Sequence, residues 1–161
     1  MTEQNQNKAF KMFISYSHED KALRDQMEKV LIELKRQGLI STWHDGQILP
    51  GQQWEKEILA NRDNAEIVLF LVSADFNASR YIYEKELLPV LEREKEGKVY
   101  VLVVLLRPTF LKGSELEKFE MLPIDSKKRP KSVTEWSNRD KAFLKVAEGI
   151  HRVVLHLRQK P

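Results

Sequence analysis

The segment Tyr81-Ile82-Tyr83-Glu84-Lys85-Glu86 sets two carboxylates among two phenol rings, just after the apolar run Ile67–Val72 and the polar stretch Ser73–Arg80. A carboxylate flanked by aromatic rings, near the C-terminal edge of a buried strand, can hold a developing positive charge in a partly dry pocket. Glu86 and Glu84 are both candidates for that role, and Tyr81 or Tyr83 could stack on a flat ligand ring. Two other loops supply polar groups. Ser15, Tyr16 and Ser17 offer hydroxyls and backbone amides near the N-terminus, while Trp43 and Asp45 stand at the start of the glycine-bearing loop His44–Gln53.

Competing chemistries find little support. The histidines His18, His44, His151 and His156 are scattered, and no metal-ligand spacing appears, so no metal site is expected. Cysteine is absent, which removes disulfides, zinc-thiolate sites and thiol nucleophiles. There is no Gly-x-Ser-x-Gly elbow, GxGxxG turn or Walker loop. The run Lys127-Lys128-Arg129-Pro130-Lys131 reads as a solvated loop in preference to a phosphate-contacting patch.

Positioning these side chains calls for alternating strands and helices. Strands are expected at Met12–Tyr16, Leu39–Trp43, Glu66–Val72 and Val99–Leu106, and helices at Leu23–Gln37, Trp54–Asn61, Tyr81–Glu96 and Asn138–Gln159. Gly38 and Gly97 supply stop signals, and Asn138 supplies a capping residue for the last helix. Arg107–Val133 is expected to be irregular. Such alternation argues for a parallel sheet covered on both faces, with ligands beyond the strand C-termini. On an α-helical wheel Tyr83, Leu87, Val90 and Leu91 share the apolar face. Glu84 and Glu86 then project to nearly opposite sides, so only one can face a pocket.

Composition fits one globular domain. The chain has 161 residues, 42% hydrophobic and 32% charged, and its 27 basic and 24 acidic residues nearly cancel to a net charge of +3. That balance gives no support to direct nucleic-acid binding. Val99–Leu106 is too short to span a membrane, and MTEQNQNKAFK has no signal-peptide core. The expectation is a soluble cytoplasmic domain over residues 11–157, with a flexible segment at 1–10 and a tail at 158–161.

Four stretches, FISYSHED, DGQILPGQQW, IVLFLVSADFNASRYIYEKEL and EWSNRDKAFLKVAEGI, stand in an order that resembles the Toll/interleukin-1 receptor (TIR) domain of bacterial type. The likeness runs from about Lys11 to Val154. It implies a flavodoxin-like fold with a central parallel sheet of about five strands and helices on both faces. It also makes His44–Gln53 the family's BB loop, through which TIR domains contact one another.

Many bacterial TIR domains cleave NAD+ at the nicotinamide–ribose bond, and the resemblance implies that activity here, with NAD+ as substrate and no cofactor. The family's acid follows an aromatic residue by four positions and precedes Leu or Met. This chain departs from that spacing: Tyr81 stands five residues before Glu86, and Tyr83 one before Glu84. The Glu86-Leu87 pair fits the ending better, and Glu84 remains the alternative. By the same resemblance, self-assembly activates the enzyme in antiphage immunity, and a cyclic-nucleotide sensor domain is a partner in a longer protein. Two other classes stay open: a non-catalytic TIR interaction module, and a receiver-like regulatory domain, for which Glu19-Asp20 imitates an acid pair.

Overall fold

The computed structural model describes residues 8–160. The segment expected to be flexible, 1–10, lies mostly outside the described residues, and Phe10 already opens the first strand. Five parallel strands form one sheet in the order β2-β1-β3-β4-β5: β1 Phe10–Ser15, β2 Ile40–Trp43, β3 Ile67–Val72, β4 Tyr100–Leu105 and β5 Met121–Leu122. The helices are α1 Lys21–Val30, α2 Ile32–Arg36, α3 Trp54–Asn64, α4 Ala74–Ala78, a π-helical segment Ile82–Leu87 running into α5 Leu88–Lys95, and α6 Arg139–Gln159.

The sheet is built around β3. All six of its residues are buried, because a central parallel strand meets helices on both faces. Its side chains alternate between two cores. Ile67, Leu69 and Leu71 pack with Leu23, Met27 and Leu31 of the α1–α2 region and Phe143, Val146 and Ile150 of α6. Val68, Phe70 and Val72 pack with Ile58 of α3, Phe76 of α4, and Ile82, Leu87, Val90 and Leu91 of the π-helical segment and α5. A period of two in the strand thus divides one apolar run between two helical layers.

Helix ends follow their local chemistry. Gly38, with φ of +71°, ends α2, since that left-handed conformation suits a residue without Cβ. The Asn138 side chain accepts a hydrogen bond from the Lys141 amide at 3.1 Å and caps α6. Further along α6, Gly149 permits close packing on β5, because a Cβ there would come within 2.7 Å of Leu122. The region expected to be irregular contains β5, which pairs with Val103 and Val104 over two residues only. Two residues carry no readable periodicity.

The strand C-termini are tied together by a buried carboxylate. Asp20, in the turn after β1, accepts hydrogen bonds from Ser73 Oγ after β3 and from Arg107 Nε after β4, the latter at 2.8 Å. Arg107 also reaches Asp75. A receiver-like acid pair is therefore not what Asp20 forms: a guanidinium fills the space beside it. Asp20→Ala is expected to cost about 3 kcal/mol, because it leaves the buried Ser73 hydroxyl without its acceptor and the Arg107 guanidinium with Asp75 alone. Urea unfolding checks this, and a loss under about 1 kcal/mol would mean that the three loops are held by other contacts.

Candidate active site

β1 delivers Phe13, Ile14, Ser15 and Tyr16 toward the sheet's C-terminal edge, at the side where the strand order reverses between β1 and β3. Such a reversal opens a crevice in parallel sheets. Here a narrow one, with about 10 Å³ of space, room for about one water, is lined by Phe13, Ile14, Tyr16, Asp45, Ile58 and Glu86. It lies below the roughly 300 Å³ at which ligand pockets begin. The 44–53 loop closes its mouth. Tyr16 Oη donates to Asp45, and the second Asp45 oxygen lies 2.7 Å from His18 Nε2.

Glu86 is 7% exposed, and burial raises its carboxyl from the ordinary 4.5 to about 7. The Ser15 hydroxyl beside it pulls the other way, although Ser15 Oγ makes no hydrogen bond of ordinary geometry among the described residues. Asp45 adds to the rise, whereas Arg62 and His18 oppose it. Burial also raises the Tyr81 hydroxyl, to about 12, and the Glu86 charge adds to that rise. The Tyr81 ring meets Trp54 at 5.3 Å between centroids, the planes tilted by 51°.

The backbone explains why Glu86 and not Glu84 faces inward. Between Ile82 and Leu87 the chain is π-helical, and the Leu88 amide donates to the Tyr83 carbonyl five residues earlier. One extra residue in the turn places position +5 where an α-helix would place +4. Glu86 thereby occupies, relative to Tyr81, the place that a four-residue spacing gives in an ordinary helix. The carbonyl of Lys85 in this turn accepts from Arg62 Nη1 at 2.6 Å.

The same wider turn moves the neighbours. Glu84 has a side chain 49% exposed and pairs with Arg80 at 2.9 Å. Tyr83, placed on the apolar face by an α-helical wheel, is exposed and bonds Glu115 on the far side of the segment. Ile82 takes its buried place. Neither Glu84 nor Tyr83 joins the crevice. Ser17 caps the turn at His18–Asp20, accepting from the Glu19 amide, and also lies outside it. Trp43 stacks on Phe13 at 5.6 Å, one side chain behind the crevice wall.

Trp54, which follows the 44–53 loop, is 55% exposed and packs against Tyr81. Several charged residues of the site were not anticipated. Arg62, His18 and Arg24 supply the charges around Glu86 and Tyr16. The signal for Arg24 was present: it falls in the α1 stripe with Met27 and Leu31, where a charged residue is out of pattern.

A buried carboxyl beside aromatic rings, at the strand C-termini of a doubly wound α/β sheet, defines a class of domain with one acid poised at a crevice. The model of the TIR domain family matches residues 12–142, and the chain belongs to that family. An uncharacterized protein, y4lF, of Sinorhizobium fredii is 41% identical over 139 residues, which are 86% of this chain and 42% of that protein. The chain thus spans about two-fifths of that relative's length. The crystal structure of the TIR domain of the Toll-related receptor TRR-2 from Hydra magnipapillata matches with a TM-score of 0.59 and 18% identity, over 94% of this chain and 100% of that one. The flavodoxin-like TIR fold is therefore the fold of this chain. TIR domains generally associate with other TIR domains, and among the described residues no helix is long and apolar enough to cross a membrane.

Proposed function

We propose that this TIR domain is an NAD+ glycohydrolase that breaks the nicotinamide–ribose bond, with Glu86 as its acidic residue. The observation that carries this reading is the buried Glu86 carboxyl lining the crevice, with Tyr81 near enough to feel its charge and Trp54 against Tyr81. As the C1′–N1 bond breaks, its electron pair leaves with neutral nicotinamide and C1′ becomes an oxocarbenium-like cation. A carboxylate in a low-dielectric crevice stabilises that cation and can hold a ribose hydroxyl. Water then attacks C1′ and gives up a proton, and the product is ADP-ribose. Tyr81 and Trp54 offer ring faces to the leaving nicotinamide. NAD+ is substrate throughout and no cofactor is required.

The crevice is closed by Asp45, so turnover requires the 44–53 loop to move. Self-assembly through that loop supplies the driving force in this reading, in a cytoplasmic antiphage response with a sensor domain elsewhere in the protein. Free nicotinamide released from NAD+ by the purified chain tests the activity. Specific activity is expected to rise steeply with protein concentration or crowding, and flat values across a wide dilution series would count against assembly control.

A second reading, a non-catalytic TIR interaction module, is favoured by the surface of the same loop. Leu49 in the loop is 64% exposed, and Trp54, which follows the loop, is exposed as well. Absence of nicotinamide release at every protein concentration, together with concentration-dependent self-association, would favour it.

A further inference from the structure

Four residues beyond Lys85, where an α-helix would supply the donor for the Lys85 carbonyl, stands Pro89, which has no N–H. The ring of a proline inside a helix also crowds the carbonyl four residues earlier. Proline is well tolerated at the free start of a helix, but this helix has no free start. Leu87 and Leu88 keep right-handed helical dihedrals, with φ of −65° and −61°, as the π-helical segment runs into α5. A wider turn relieves such crowding and leaves the Lys85 carbonyl in need of another donor.

Arg62, in the last turn of α3, supplies that donor. Its Nη1 reaches the Lys85 carbonyl at 2.6 Å, while Nε and Nη2 both hold Asp63 at 2.9 Å. The clasp also runs the other way. Arg93, one helical turn beyond Pro89, donates through Nη1 to the Arg62 carbonyl at 2.8 Å and through Nη2 to the Ala65 carbonyl. Carbonyls at a helix end have no donor within their own helix, and Arg93 takes up two of them. Two guanidiniums thus cross between α3 and the helix that carries the acid, and Glu86 follows Lys85 directly in the chain.

We propose that Arg62 is a positioning residue for Glu86: together with Pro89 it locks the wide turn, and the locked turn aims the acid inward. The inference rests on the reading of Glu86 as the acid of NAD+ cleavage, and it names what holds that acid in place. An ordinary α-helical turn here would put Tyr83 on the apolar face and carry Glu86 to its flank. Arg62 acts on Glu86 in two ways of opposite sign. As a nearby cation it favours the ionised carboxylate. As the lock of the turn it keeps the carboxyl buried, which favours the protonated form.

Titration of the Glu86 carboxyl carbon by NMR, in the whole chain without NAD+, separates the two roles. In Arg62→Met the midpoint is expected to fall from about 7 toward 4.5, because the released turn gives the acid to water. A midpoint that rises or stays would leave Arg62 as a charge alone and overturn the proposal. Pro89→Ala returns the missing N–H without touching Arg62, and it serves where Arg62→Met fails to fold. Its midpoint should fall as well, and an unchanged one would overturn the lock. Asp63→Asn, which keeps the bond to Lys85, should titrate as wild type does. In an active chain either Arg62→Met or Pro89→Ala should lower kcat about a hundredfold and change KM for NAD+ less than about threefold. Lowered midpoints with kcat unchanged would overturn the positioning role. Lowered midpoints in a chain whose wild type releases no nicotinamide would uphold the lock and sink the cleavage reading alone.

Discussion

Glu86→Gln is expected to lower nicotinamide release from NAD+ by about a thousandfold, while Glu84→Gln stays within about twofold of wild type. Glutamine keeps the shape of the buried side chain and removes the charge that, on the proposed reading, faces C1′ as nicotinamide departs. Glu84 lies in solvent, bound to Arg80, and its charge is screened from the crevice. Residual activity within tenfold of wild type in Glu86→Gln would sink the assignment. The acid must be ionised to act, so kcat/KM should fall below about pH 7, where the Glu86 carboxyl takes up its proton. Burial sets that limb and Asp45 adds to it, so the limb should move down when Asp45 is replaced by Asn.

Glu86→Gln is also expected to stabilise the protein by about 3 kcal/mol at pH 8 and to leave stability unchanged at pH 4. The sign follows from proton uptake. Glu86 binds its proton more tightly in the fold, at about 7, than in the unfolded chain, near 4.5. Below 4.5 the carboxyl is neutral in both states and costs nothing. Between 4.5 and about 7 the unfolded chain ionises and the folded one does not, so the wild type loses stability relative to the glutamine variant. Above 7 the difference is constant, at about 1.4 kcal/mol for each pH unit of the shift. Urea unfolding at the two pH values measures it. Equal stability of the two proteins at pH 8 would show that the buried acid carries no penalty.

The two predictions are linked through one side chain. A carboxylate in a dry crevice weakens the fold at neutral pH and is a strong electrostatic partner for a cation placed beside it.

How far the sequence reached depended on the length and regularity of each element. The unbroken apolar run Ile67–Val72 and the stripe of α6 announced themselves, and Gly38 and Asn138 marked real helix ends. The strand at Met121–Leu122 and the short helix Ala74–Ala78 left no periodicity to find. Within the site, the hydroxyl of Tyr16, Asp45, Tyr81 and one acid were legible as types at loop positions. The choice between Glu84 and Glu86 was not, because a wheel of 100° per residue does not describe a π-helical turn. The error shows in Tyr83, which the wheel buried and the structure turns out to Glu115. Long-range pairs such as Arg24 with Tyr16, or Asp20 with Arg107, depend on how strands and loops come together and have no local signal beyond a charge in an apolar stripe.

The π-helical turn at Ile82–Leu87 bears on how relatives of this protein are recognised. A signature that fixes the gap between aromatic ring and acid at one value treats the helix as a rigid ruler. Here the ruler stretches: a chain can gain a residue within this turn and still present the same carboxyl to the same ring. Searches tolerant of a gap of either four or five, joined to a following leucine or methionine, should therefore gather sequences that a strict pattern discards.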